Sequence, residues 1–271
     1  MRRISSIILG ATLFVAAVPA FAGIHYKSST KSEGARGRES EVQVEGWVAG
    51  EKARVEFKDS TNPATQKGTY LLTKDGGKTL YMVNPEEKTY AVWDLNAMLG
   101  AMGAIMNGMG PLLRIQFSEP TVEKIADEDG GTVAGAPAHH TKYRTSYTTT
   151  VKVLGMGRSS NVVTEQDFWT TTKLADSGMG VWLRAEPPRT GNADFDRLLT
   201  AEKYKIQGYP LKIVTVTTNT DSKSGKVTTS HSTMEVTELD TKASVPASSF
   251  ELPAGYKEAE MKPMKPETPR E

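Results

Sequence analysis

The chain has 271 residues, with 33 Lys+Arg against 32 Asp+Glu, four His and no Cys. Without cysteine there are no disulfides, thiolate-held metals, cysteine nucleophiles or lipid-modified N-terminal cysteines, and a formal charge of +1 offers no cation surplus for a phosphate backbone, so nucleic acid is not an expected partner. Hydrophobic residues at 38% and charged residues at 24% fit a polar globular protein and exclude a coiled coil or a wholly disordered chain.

The first 22 residues read as an export leader. Arg2 and Arg3 give a basic start, Ile7 to Val18 is apolar or small throughout, and Ala20-Phe21-Ala22 has the small-x-small spacing of a cleavage site. Cleavage after Ala22 leaves a mature chain from Gly23 in the periplasm, with no transmembrane segment, since the apolar stretch is shorter than the about 20 residues a span needs. The expected organisation is a leader over 1–22, a single β domain over 23–256 and a disordered Pro/Lys/Glu tail over 257–271.

Downstream the main signal is period two. Val42, Val44 and Val48 alternate with Glu41, Gln43 and Glu45, and Ala53, Val55 and Phe57 alternate with Arg54, Glu56 and Lys58. Each run predicts a strand with one wet and one dry face. Asp75-Gly76-Gly77 and Asn84-Pro85-Glu86-Glu87 separate Tyr70-Leu71-Leu72, Leu80 to Val83 and Thr89 to Trp93, which makes an antiparallel meander. Further strands are expected from Leu113 to Phe117, from Val122 to Ala126 into a turn at Asp129-Gly130-Gly131, from Lys142 to Leu154 and from Val162 to Lys173. The last hairpin joins Leu211 to Thr220 and Lys226 to Glu238. The fold class is mainly β (α+β): about ten or eleven strands in one curved antiparallel sheet.

Two segments break toward helix. Asn192 to Lys205 puts Phe195, Leu198 and Leu199 on one side, with Asp194 and Asp196 early, where they suit the helix dipole. Leu95 to Leu113 carries no charge, and when wound as a helix it gathers Leu95, Met98, Met102, Ile105, Met106 and Met109 within an arc of about 100°. Asn96, Gly100, Gly103, Ala104 and Asn107 fall on the other side. Glycines weaken such a helix, so it is expected to form only when docked on an apolar partner through its methionine stripe. Two uses stay open: a helix that plugs the sheet permanently, or a mobile cover over an apolar groove.

Reactive constellations are sparse. His139 and His140 are adjacent, so a strand points them to opposite faces, away from a common metal. Gly155-Met156-Gly157-Arg158 lacks the pattern of a phosphate loop and reads as a turn, and there is no Gly-x-Ser-x-Gly. The expectation is a non-enzyme with no catalytic residues, metal or cofactor. Trp47, Trp93, Trp169 and Trp182 lie in or beside expected strands as core aromatics.

The segment Tyr81-Met82-Val83-Asn84-Pro85-Glu86-Glu87-Lys88-Thr89-Tyr90 resembles a recurring element of a bacterial exported domain-of-unknown-function family, similar in turn to the LolA/LolB-like lipoprotein-carrier superfamily. Ala134-Gly135 leading toward Tyr143, Phe168-Trp169, Gly208-Tyr209-Pro210-Leu211 and the ending Phe250 to Tyr256 match in the same order. The resemblance implies a half-barrel with helices closing its concave face and an apolar cavity that takes a lipid or acyl chain. By position it implies Met98, Met102 and Met106 in the cover, and Val44, Val55, Phe57, Leu80, Met82, Val92, Ile115, Phe117 and Trp169 in the sheet lining. The alternative is an interaction or envelope-sensor module whose groove is filled by its own helix and whose partner is an envelope protein.

Overall fold

A computed structural model of the protein describes residues 20–34, 37–61, 65–108, 112–174 and 189–259. Residues 1–19 of the expected leader, Met109, Trp182, residues 260–271 of the expected tail and the side chains of Leu95 and Ile105 lie outside the described residues. In chain order the described elements are β1 (Ala20–Glu33), β2 (Glu39–Ala49), β3 (Lys52–Ser60), β4 (Tyr70–Thr73), β5 (Leu80–Asn84), β6 (Thr89–Trp93) and α1 (Leu95–Gly108). There follow β7 (Leu113–Phe117), β8 (Thr121–Val133), β9 (Ala136–Val153), β10 (Met156–Thr171), α2 (Ala193–Lys203), β11 (Tyr209–Asp221), β12 (Val227–Pro246) and β13 (Lys257–Glu258).

All thirteen strands belong to one sheet in the order β13-β6-β5-β4-β3-β2-β1-β12-β11-β10-β9-β7, with β8 also on β9. Every pairing is antiparallel except the short one of β13 on β6. The path is in keeping with the bend. Laid flat, the ten steps from β6 to β7 would span about 48 Å, whereas α1, which joins those two strands, has 14 residues and rises only about 21 Å. Its flanking residues, fully extended, add no more than about 25 Å. Even fully stretched, the connection would barely match a flat sheet, in keeping with a sheet that curls into a half-barrel.

The strand count exceeds the expected one at both ends. Strand β1 sits centrally between β2 and β12, yet Ser28, Thr30 and Ser32 hide its alternation. It begins at Ala20, paired with Pro246, so the expected cleavage point after Ala22 falls among its first paired residues. At the other end Lys257 and Glu258, expected in the tail, pair with Thr89 and Tyr90.

Two turns also differ from expectation. Asp129-Gly130-Gly131 lies inside β8, at a register shift between Asp129 and Thr132. A Cβ on Gly130 would stand 2.9 Å from Trp169 Cδ1 and 2.9 Å from the His140 backbone nitrogen, so this glycine serves close approach rather than reversal. The chain reverses instead at Ala134-Gly135 and again at Leu154-Gly155, where both central residues have positive φ as a type I′ turn requires. Of Gly155 to Arg158 only Gly155 is in the turn; Met156 already opens β10.

Burial follows the alternation. One core cluster joins Ile24, Tyr26, Val48, Ala53, Val55, Val236, Leu211, Tyr209 and Ala138, drawing on strands from β3 across to β9. A second gathers Ala49, Tyr70, Leu72, Val83, Val245 and Phe250, the last from a short 3-10 turn at Ala247–Phe250. Between the clusters the charged alternates of β3 are paired: Arg54 with Glu56 at 3.0 Å, and Lys58 with both Glu56 and Glu45. Arg54 also lies 3.8 Å from the Tyr70 ring centroid, a cation–π contact that covers its aliphatic stem.

Candidate ligand-binding face

Residues directly opposed in an antiparallel pair share a face of the sheet. Register therefore traces one row across seven strands: Ala91, Met82, Leu71, Val55, Gly46, Tyr26 and Leu239. Trp93 opposite Leu80 and Phe57 opposite Val44 extend it. Farther round, the same face carries Phe168, Tyr143 and Tyr147, and beyond them Ile115 and Phe117 on β7. Val55 and Phe57 are buried, while Leu71, Leu80, Met82, Ala91 and Trp93 are only half-buried. The indole Nε1 of Trp93 is buried with no hydrogen-bond partner among the described residues.

Seven expected lining residues, Val44, Val55, Phe57, Leu80, Met82, Ile115 and Phe117, share this face; two do not. Val92 opposes Tyr81 on the other side and is 37% exposed, and its neighbour Trp93 takes the inner position. Likewise Phe168 turns inward, which puts Trp169 outward, stacked on His140 at 4.5 Å with the Lys212 ammonium 5.4 Å from its ring. In both aromatic or apolar pairs either residue suits a core, so period two alone does not choose the face. Cross-strand register is the signal that places Leu71, Ala91 and Trp93 on the inner face.

Helix α2 covers one end of the face. Asn192 caps it by accepting from the Phe195 N–H at 3.0 Å, and the Phe195 ring packs on Phe117 at 5.5 Å. Lys205, just beyond its end, is buried and donates to Gln166 and Glu202. Burial pushes its ammonium below the usual lysine range, partly opposed by the Glu202 carboxylate. Asp196 lies in the first turn with Asp194, where both suit the helix dipole, and it also ties down the preceding loop: it accepts from the Thr190 N–H at 2.7 Å, the Thr190 hydroxyl at 2.8 Å and the Gly191 N–H at 3.2 Å.

Helix α1 is rotated from its expected orientation. Asp94 caps it through the Ala97 N–H. Gly103 is buried against Thr190, and Asn107 donates to the Gly191 carbonyl at 3.1 Å and accepts from Asn192 at 2.9 Å. The side opposite the methionine stripe is the docked one, about 130° around the axis from it. Met98 and Met102 are 44% and 36% exposed. Met106 lies at the margin, where it meets Ile115 in a cleft of about 380 Å³ that also includes Asn107, Arg114, Gln116 and Asn192.

The adjacent histidines of β9 have carboxylate partners. His139 bonds to Asp127, and His140 lies between Glu128 at 3.0 Å and Asp167 at 2.9 Å. Among the described residues there is no group of three or more His, Asp or Glu placed to hold a metal ion. Likewise among them no helix is long and apolar enough to cross a membrane.

No curated protein matches the chain. Among solved structures, an uncharacterised conserved protein from Thermus thermophilus is similar at 9% identity and a TM-score of 0.35, covering 89% of this chain and 91% of that one. A LolA superfamily protein from Nitrosomonas europaea is similar at 10% identity and a TM-score of 0.28, covering 81% and 86%. A family model, domain of unknown function DUF4412, matches residues 36–256, the whole sheet from β2 to the last residue before β13, and the chain belongs to that family.

Proposed function

We propose that this protein is a non-enzymatic module that holds an apolar ligand, such as a lipid or acyl chain, against the inner face of the sheet beneath α1. One observation carries the reading: both surfaces that would flank the ligand present apolar side chains that they do not bury in each other. On the sheet these are Leu71, Leu80, Met82, Ala91 and Trp93; on the helix, Met98 and Met102. A permanent plug would bury its methionines, because each fully buried one contributes about 1.5 to 3 kcal/mol. Among its described residues the helix docks through Gly103 and Asn107, with Met106 at the margin beside Ile115, and a docking that leaves Met98 and Met102 exposed is suited to open. Sequestering twelve methylenes would contribute about 10 kcal/mol before ordering costs. Export through the leader and residence in the periplasm complete the proposal.

The test is native mass spectrometry and lipid extraction on protein purified from a bacterial periplasm, with its N-terminus determined. Bound lipid is expected, lost in Met102→Glu with the melting temperature of the empty protein retained. Empty protein, together with no thermal shift from fatty acids or phospholipids, overturns the reading.

A further inference from the structure

The end of the sheet far from the core carries a second apolar surface, at the β9–β10 hairpin tip. Leu112, Val153, Leu154 and Met156 are 57%, 47%, 67% and 75% exposed there. Val153 and Met156 oppose each other across the turn, and the Leu154 N–H donates to the Leu112 carbonyl at 3.0 Å, so the four lie together. The backbone makes the arrangement more unusual. Leu154 has φ +50, a left-handed conformation that branched side chains avoid and that type I′ turns assign to Asn, Asp or Gly. The equivalent position of the β8–β9 turn holds the small Ala134. At the tip the chain strains its backbone to display a leucine to solvent.

Basic residues lie beside this surface, on the other face of the tip and on the next turn. Arg114 opposes Lys152 on the adjacent strands, and Arg158 stands two residues beyond Met156. The β11–β12 turn, tied to β10 by the Ser222 N–H to the Ser159 carbonyl at 2.9 Å, adds Lys223 and Lys226. The nearby acids are engaged: Asp221 accepts from Arg158 and from Ser224 of its own turn, and Asp194 is bonded to Arg197 at 2.7 Å. Exposed Leu, Val and Met at a tip whose other face carries Arg114 and Lys152, with Lys223 and Lys226 on the neighbouring turn, match the two layers of an anionic bilayer, acyl chains within and phosphate headgroups at the rim.

We propose that the β9–β10 tip docks the protein on an anionic lipid bilayer, with Leu154 and Met156 entering the interface and Arg114, Lys152, Lys223 and Lys226 at the headgroups. Val153 and Met156 continue the face of Ile115 and Phe117 to the far end of their strands, and the inference concerns what that exposed end touches outside the chain, so it does not rest on a ligand beneath α1.

Flotation of the exported protein with intact vesicles tests it. Binding is expected to vesicles containing phosphatidylglycerol and to be weaker on pure phosphatidylcholine. Leu154→Asp combined with Met156→Asp should lower partition at least tenfold on both. Lys152→Glu should lower it about fivefold or more on the anionic vesicles alone. Leu154→Asn is the control for folding, since Asn tolerates the left-handed turn: it should melt no lower than wild type and still float less. Failure of the wild type to float, or flotation of the double variant like wild type, overturns the proposal. So does a self-association or protein contact that the double variant abolishes while the wild type ignores vesicles.

Discussion

The docking of α1 through its small residues can be tested at two glycines three positions apart. A Cβ added to Gly103 would stand 1.8 Å from the Thr190 carbonyl oxygen and 3.0 Å from the Thr190 Cβ, while Gly100 has nothing within 4 Å. Thr190 is held from behind, with its N–H and hydroxyl both on Asp196, so the helix must yield by more than about 1 Å to reach ordinary contact. Both Gly→Ala changes gain about 1 kcal/mol of helix propensity. Gly100→Ala should therefore slow amide exchange along α1 about fivefold. In Gly103→Ala the overpacking and the strained Asn107 hydrogen bonds outweigh that gain, for a net loss of about 1 to 3 kcal/mol and exchange faster by about five- to a hundredfold. Exchange at the α1 amides, read beside the global melt, which should hardly move, separates local undocking from unfolding. Equal effects from the two substitutions, or slowed exchange in Gly103→Ala, would refute the docked orientation.

Opposite faces predict opposite outcomes for neighbouring apolar sites: Met82→Asp should abolish lipid retention in mass spectra, whereas Val92→Asp should leave it intact and shift stability by no more than about 1 kcal/mol. Asp196→Asn should loosen the 190–192 loop by about 1 to 3 kcal/mol, seen as faster exchange in α1. In the native protein burial raises the Asp196 carboxyl, but donors from Thr190 and Gly191 and the nearby Arg189 outweigh it and hold it below the usual carboxylate range. Its contribution is thus complete above about pH 4 and fades as acid passes through the lowered value, a trend that Asp196→Asn should remove from an acid titration of α1 exchange. Burial raises the Tyr26 and Tyr209 hydroxyls above the usual range; the nearby Tyr209 adds to the rise at Tyr26, whereas the hydrogen bond with Tyr26 partly opposes it at Tyr209. Both stay neutral in the fold, so that stabilisation is complete below about pH 10 and declines above it; ultraviolet titration should show two phenols ionising only as the protein unfolds in alkali.

What the sequence made legible follows from how many forces pointed the same way. Strands β2 to β6, the β11–β12 hairpin and α2 were readable because alternation, turn residues and caps agreed. Strand β1 was not, since Ser28, Thr30 and Ser32 give no wet and dry sides; its place is set by ladders to β2 and β12 that only tertiary structure supplies. At Val92-Trp93 and Phe168-Trp169 both residues suit a core, and register decides between them.

The helix is the instructive miss. Counting apolar area selects the methionine side for burial, but close approach of a helix to a backbone favours glycine, and Asn107 finds partners on the 190–192 loop that no methionine could satisfy. Docking through Gly103 and Asn107 settles the helix while leaving Met98 and Met102 exposed. That is the opposite of what packing alone would choose, and the same inversion recurs at Leu154, where backbone strain keeps a leucine outside. Two apolar surfaces kept out of the core, one beneath the helix and one at the hairpin tip, are what the two proposed contacts outside the chain require: an acyl chain at the helix and a bilayer at the tip.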